Sequence, residues 1–114
     1  MVDKLKIDPK YFELIGEVVA WYKNDLKTEK RYLEAEEHKR PLEINRVDMT
    51  QGVISQIDGR WLQAMPSRED FQLSRDQIHY LKEAVETGIV NDDICPLDTV
   101  QLQELLEYLE SIIF

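Results

Sequence analysis

Three features of this 114-residue chain point to an all-α fold of four helices in a single domain. Apolar residues recur at the 3.6-residue spacing of helix faces. Helix-start signatures stand in front of those stretches. Glycine and proline number only four each, too few for an all-β domain with many tight turns. The first helix is expected to be long, and the connections to span about 8–10 residues.

The first helix opens at Asp8, whose side chain can accept a bond from an orphan amide as N-cap. Pro9 follows at the first helical position, where it loses no bond it would have made. From Tyr11 to Tyr22 nine of twelve residues are apolar. The exceptions, Glu13, Gly16 and Glu17, share one arc of the helix, so this half should be buried over most of its circumference. From Lys23 to Arg40 eleven of eighteen residues are charged, and only Leu26, Tyr32, Leu33 and Ala35 are apolar. The reading is one helix of about 30 residues, ~45 Å long. Pro41 ends it, and Asn24-Asp25 is where a break would fall.

Three later segments share a start signal: Asp48-Met-Thr-Gln51, Ser74-Arg-Asp-Gln77 and Asp98-Thr-Val-Gln101. In each, a capping side chain can accept from the third residue's amide while the glutamine reaches back. In the segment around Asp48, the residues Val47, Ile54, Ile57, Trp61 and Met65 fit one helical face. Gly52 and Gly59, seven apart, would admit a neighbouring helix. The alternative for about 53–64 is a β-hairpin turning at Asp58-Gly59, which would make the fold α+β. Apolar residues on both faces of those strands weigh against it. After Ser74, Ile78, Leu81, Ala84 and Val85 form a stripe, with Gly88 expected as a left-handed C-cap. After Asp98, Leu102, Leu105, Leu106, Leu109, Ile112 and Ile113 form the last stripe, which runs to Phe114.

Charge is unevenly placed. The formal net charge is −9. Residues 1–40 hold nine Lys/Arg and nine Asp/Glu, whereas residues 41–114 hold five and fourteen. Beyond Lys82 there are eight acids and no Lys or Arg. That block offers the last helix no i,i+4 ion pairs. It also leaves no cation excess to displace counterions from a phosphate backbone, so direct nucleic-acid binding is not expected. A helix-turn-helix reading of the last two helices fails for the same reason, because Glu104, Glu107 and Glu110 would repel phosphates. The longest apolar run, Val18–Tyr22, is far short of the ~20 residues that span a bilayer. Met1-Val-Asp-Lys-Leu-Lys lacks an apolar signal-peptide core, and a single cysteine excludes an internal disulfide. A cytoplasmic location is expected.

Candidate chemistry is sparse. Asp76, His79 and Glu83 share one helix face. With His38 from the first helix, near Glu34 and Glu37, they could hold a divalent metal, the basis of an alternative reading as a metal-dependent bundle enzyme. The Glu-x-x-His pairs of di-metal bundles are not present, since Ala35 precedes His38 and Asp76 precedes His79 at that spacing. Exposed polar residues are the simpler account, and no cofactor is expected. Cys95 has no activating base beside it and reads as a small buried hydrophobe. Walker, Gly-x-Gly-x-x-Gly, His-Glu-x-x-His and Gly-x-Ser-x-Gly patterns do not occur.

The expectation is a non-enzymatic, acidic module that binds a protein with a basic surface. A bacterial or phage regulator, inhibitor or immunity-type factor fits that size and charge. The residues expected to meet the partner are Asp92, Asp93, Glu104, Glu107 and Glu110, together with the aromatics Trp21 and Tyr22. Trp21 and Tyr22, if uncovered, would also favour a twofold homodimer. A structural subunit of a larger assembly is the third reading.

Overall fold

A computed structural model describes residues 4–35 and 41–113. The all-α expectation holds. Four helices form: α1 (Phe12–Ala35), α2 (Pro41–Gln63), α3 (Arg75–Val90) and α4 (Thr99–Ile113). They are joined by one antiparallel pair of short strands, β1 (Lys4–Lys6) and β2 (Gln72–Ser74), which the sequence reading did not anticipate. α1 packs along α2 and α3 along α4, while α1 and α2 both meet α3.

The start of α1 follows its sequence signal. The Asp8 carboxylate accepts from the Lys10 amide at 3.0 Å, and Pro9 opens a 3-10 turn that feeds directly into the helix. α1 is continuous through Asn24-Asp25 and buries Phe12, Ile15, Val18, Val19, Tyr22, Leu26 and Leu33. Tyr32 is 68% exposed. The expected extension of this helix to Arg40 lies outside the described residues. Pro41 is the first residue of α2. Proline suits that place, because its missing N–H costs nothing in a first turn.

α2 settles the ambiguous middle segment as helix, and the hairpin at about 53–64 is overturned. Ile54 and Ile57 are fully buried, a gain that outweighs the turn propensity of Asp58-Gly59. The start signal at Asp48 is also overturned. Asp48 lies inside the helix, and its carboxylate meets the Lys30 ammonium at 2.7 Å. Gly52 and Gly59 are not points of close approach, since a methyl group at either would meet nothing within 4 Å.

Close approach occurs at Gly16. A methyl group there would collide with Cζ2 and Cε2 of Trp61. The indole lies across the glycine, stacks on Phe12 with centroids 4.8 Å apart, and donates its N–H to the Phe12 carbonyl at 2.7 Å. Phe12 in turn meets Phe71 edge-on at 5.4 Å. Phe71 leads into β2, where Leu73 pairs with Leu5, and its carbonyl accepts from the Ile7 amide at 3.0 Å. The strands are three residues each and have little stability alone. They persist because Ile7, Phe71 and Leu73 sit in the same buried cluster as the helices. At the other side of the N-terminal segment, the Tyr108 hydroxyl of α4 accepts from the Asp8 amide at 2.8 Å, and its ring stacks on Tyr11 at 4.5 Å.

α3 begins with the complete reciprocal cap: Ser74 accepts from the Gln77 amide, and the Gln77 side chain accepts from the Ser74 amide. Gly88 is not a left-handed C-cap. The helix continues to Val90, and no described glycine has positive φ. Its smallness serves packing, since a methyl group there would lie 3.2 Å from Leu102 and 3.3 Å from the Cys95 sulfur. Asp98 caps α4 through the Val100 amide at 2.8 Å, one position earlier than expected. Of the α4 stripe, Leu102, Leu105, Leu109 and Ile113 are buried, while Leu106 and Ile112 are partly buried against the same core.

Gly16→Ala should therefore destabilise the fold by about 1–3 kcal/mol through overpacking. Gly52→Ala, at an open position in a helix interior, should stabilise it by about 1 kcal/mol. Thermal unfolding followed by circular dichroism checks both, and a higher midpoint for Gly16→Ala would contradict the close contact with Trp61.

Candidate functional site

The apolar stripe of α4 dictates what its other side presents. With Leu102, Leu105 and Leu109 turned into the core, Glu104 and Glu107 fall on the exposed face. Glu107 and Glu110 lie toward the negative end of the helix dipole, so packing holds them where local electrostatics does not favour them. Asp92 and Asp93 stand exposed in the turn between α3 and α4. Glu110 is half-exposed, and Lys82 of α3 comes within 3.9 Å of its carboxylate.

The cations decide how much of this charge is left unbalanced. On α1, Lys23 pairs with Asp58 at 3.4 Å and Lys30 with Asp48 at 2.7 Å, both on α2. The Asp48 contact holds the Lys30 ammonium above its usual pKa. Arg46 reaches Glu83 at 3.3 Å and Arg68 reaches Glu13 at 3.1 Å. Lys82 is shared between Glu86 and Glu110. The Arg75 guanidinium donates to the Ile113 carbonyl at 2.9 Å and so closes the end of α4. Among the described residues, Asp92, Asp93, Glu104 and Glu107 have no ion-pair partner.

An open groove of about 410 Å³ runs between the start of α1 and α4, bordered by Glu17 on one side and Glu104 on the other. Glu17 thus extends the acidic face onto a second helix. The sequence had placed it on the polar arc of α1, but which element lies opposite is set by tertiary packing. Lys10 also borders this groove, with its ammonium over the Tyr11 ring at 5.1 Å.

The aromatic half of the expected site is different. Tyr22 is buried, at 5% exposure, and is not available to a partner. Trp21 is only partly exposed, packs against the core and stacks on Tyr22 at 6.3 Å. The packing of α1 against both α2 and α3 covers Tyr22 and part of Trp21. Burial, reinforced by the negative charge of Glu83, raises the Tyr22 hydroxyl from 10.0 to about 12, with Thr87 opposing.

The metal alternative gains no geometry. Asp76 and His79 are exposed, and Glu83 is engaged by Arg46. His38 lies outside the described residues. Among the described residues no three His, Cys, Asp or Glu side chains converge as a metal site. Cys95 is buried, as expected of a small hydrophobe. No helix is long and apolar enough to cross a membrane, again among the described residues.

Among the described residues, large apolar side chains remain exposed on α1 (Tyr32), along α2 (Leu42, Met49, Leu62), just after it (Met65) and around the loop between α3 and α4. Val90, Ile94 and Val100 border the loop between α3 and α4, at 78%, 60% and 62% exposure. Leu42 and Met49 lie on α2 beside Tyr80. Comparison of the chain with protein families, curated proteins and solved structures finds no match in any of the three.

Tyr22 sets an alkaline limit on stability. Its folded-state value lies above the 10.0 of a free tyrosine. The neutral buried phenol therefore contributes fully below pH 10, and its contribution falls as pH rises from 10 toward 12. Titration of phenolate absorbance should show a component near pH 12 that Tyr22→Phe removes. A titration curve unchanged in the variant would contradict the buried phenol.

Proposed function

We propose that this chain is a non-enzymatic binding module that docks a basic protein surface on its acidic α3–α4 face. Asp92, Asp93, Glu104 and Glu107 are the principal carboxylates, with Glu17 and Glu110 at the margins. One observation carries the reading. The described cations of α1 that form ion pairs are turned to α2 (Lys23 to Asp58, Lys30 to Asp48) or to α1 itself (Lys30 to Glu34), and Asp92, Asp93, Glu104 and Glu107 keep no ion-pair partner among the described residues.

The physical consequence is a one-signed field over one side of the molecule. Such a field raises the encounter rate with a cationic surface and suppresses anionic partners. It is maintained at a cost, since like charges along one helix repel and the dipole of α4 disfavours its terminal acids by a few tenths of a kcal/mol each. Solubility alone requires no such segregation of charge. A regulator, inhibitor or immunity-type factor that occludes a basic functional surface is the biological form this chemistry suits. A buried, unpaired Cys95 suits the reducing conditions of a cytoplasm.

Capture of partners from an extract of the host by the immobilised chain, at low and raised salt, identifies the candidates. With the captured protein, Glu104→Lys/Glu107→Lys should lower the association rate roughly tenfold or more at low salt, and much less at high salt. An association rate indifferent to both the charge reversal and the salt would overturn the proposal.

A further inference from the structure

The loop joining α3 to α4 combines two properties that neither helix has alone. Val90, the last residue of α3, is 78% exposed; Ile94, within the loop, is 60% exposed; Val100, in the first turn of α4, is 62% exposed. Their neighbours Ile89 and Leu97 are the ones that turn inward and pack on the core. Asp92, Asp93 and Asp98 are interleaved with the exposed three, and none of these carboxylates forms an ion pair among the described residues.

The loop backbone is tied down. The amides of Ile94 and Cys95 both donate to the Asn91 carbonyl, at 3.1 and 2.8 Å, and the Asn91 side chain donates to the Thr87 carbonyl at 2.8 Å. Cys95 is buried beside Gly88, and Asp98 accepts from the Val100 amide at 2.8 Å. With the backbone pinned on both sides of it, Ile94 stands outward at 60% exposure. A preformed apolar projection of this kind loses little conformational freedom when a partner covers it.

Resting on the acidic-face reading above, we propose that Val90, Ile94 and Val100 are the apolar anchor of the interface, and that a partner segment with Lys or Arg flanking an apolar centre covers them. The aspartates interleaved with them along the chain select the occupant. A second copy in a twofold contact would set these carboxylates against themselves, and an anionic lipid surface or nucleic acid is repelled in the same way. A cationic segment without apolar residues would leave the three side chains in water. Only the combination satisfies both the centre and the rim, the usual division of a protein interface.

A short fluorescent peptide with Leu along one helical face and Lys along the other is the probe, titrated at low salt and mapped by amide chemical shifts. The expected result is binding centred on residues 90–100. It should weaken roughly tenfold in Ile94→Ser/Val100→Ser, and comparably when the peptide's Leu are replaced by Ser. The substituted side chains lie outside the core, so an unchanged unfolding midpoint certifies the variant. No binding to the parent chain, equal binding to the variant, shifts centred on Leu42 and Met49, or self-association lost in the variant would each overturn the proposal. Loss of binding in Glu104→Lys/Glu107→Lys while Ile94→Ser/Val100→Ser binds normally would refute the anchor and leave the acidic face standing. Indifference to both pairs would remove the two together.

Discussion

The contact between Trp61 and Gly16 organises much of the fold around the start of α1. An indole can lie flat against a helix backbone only where no side chain intervenes, and Gly16 supplies that gap on α1. Once seated, the ring fixes the register of α1 and α2 by stacking on Phe12 and by donating to its carbonyl. Phe12 then meets Phe71, which brings the short strand pair over the same end of the core. A helix pair, a connection and a sheet are thereby tied to one buried aromatic group. The indole N–H is satisfied where it would otherwise incur a desolvation penalty.

What could be read in the sequence is what depends on neighbours within a turn. Ser74 with Gln77, Asp8 with Pro9, and Asp98 ahead of the α4 stripe all capped as local hydrogen-bonding rules require. The exposure of Glu104 and Glu107 likewise followed from the spacing of Leu102, Leu105 and Leu109. Asp48 shows the limit of such rules. It has the same local pattern as a cap, yet it lies inside α2 and is held there by Lys30, eighteen positions away in the chain. Glycine shows it again: Gly52 and Gly59 occupy a suggestive seven-residue spacing but face open space, while Gly16 receives the tryptophan. Which glycine is approached depends on the partner helix, and periodicity within one helix carries no information about that. The strands escaped notice because three residues are too few to alternate.

Charge tells a similar story at larger scale. The first forty residues carry equal numbers of cations and acids, and counting does not say which acids those cations meet. Space decides it. Lys23 and Lys30 of α1 reach across to α2, and among the described residues only Lys82 reaches a carboxylate of α4. Each exposed pair is worth little to stability, in the range of about 0–1 kcal/mol. Their collective effect is on where the field lies, which is a property of the surface and not of the core. Tyr22 marks the opposite outcome: an aromatic that sequence placed at an interface is enclosed by α2 and α3 and made a reluctant acid.

The enclosure of Cys95 gives the molecule an internal clock. Its sulfur is packed beside Gly88, under the loop that joins the last two helices, and the residue is only 6% exposed. Ready modification requires that loop to part from the body of the protein. The rate at which an alkylating agent labels the native chain therefore measures how often this one region opens, on a scale distinct from global unfolding.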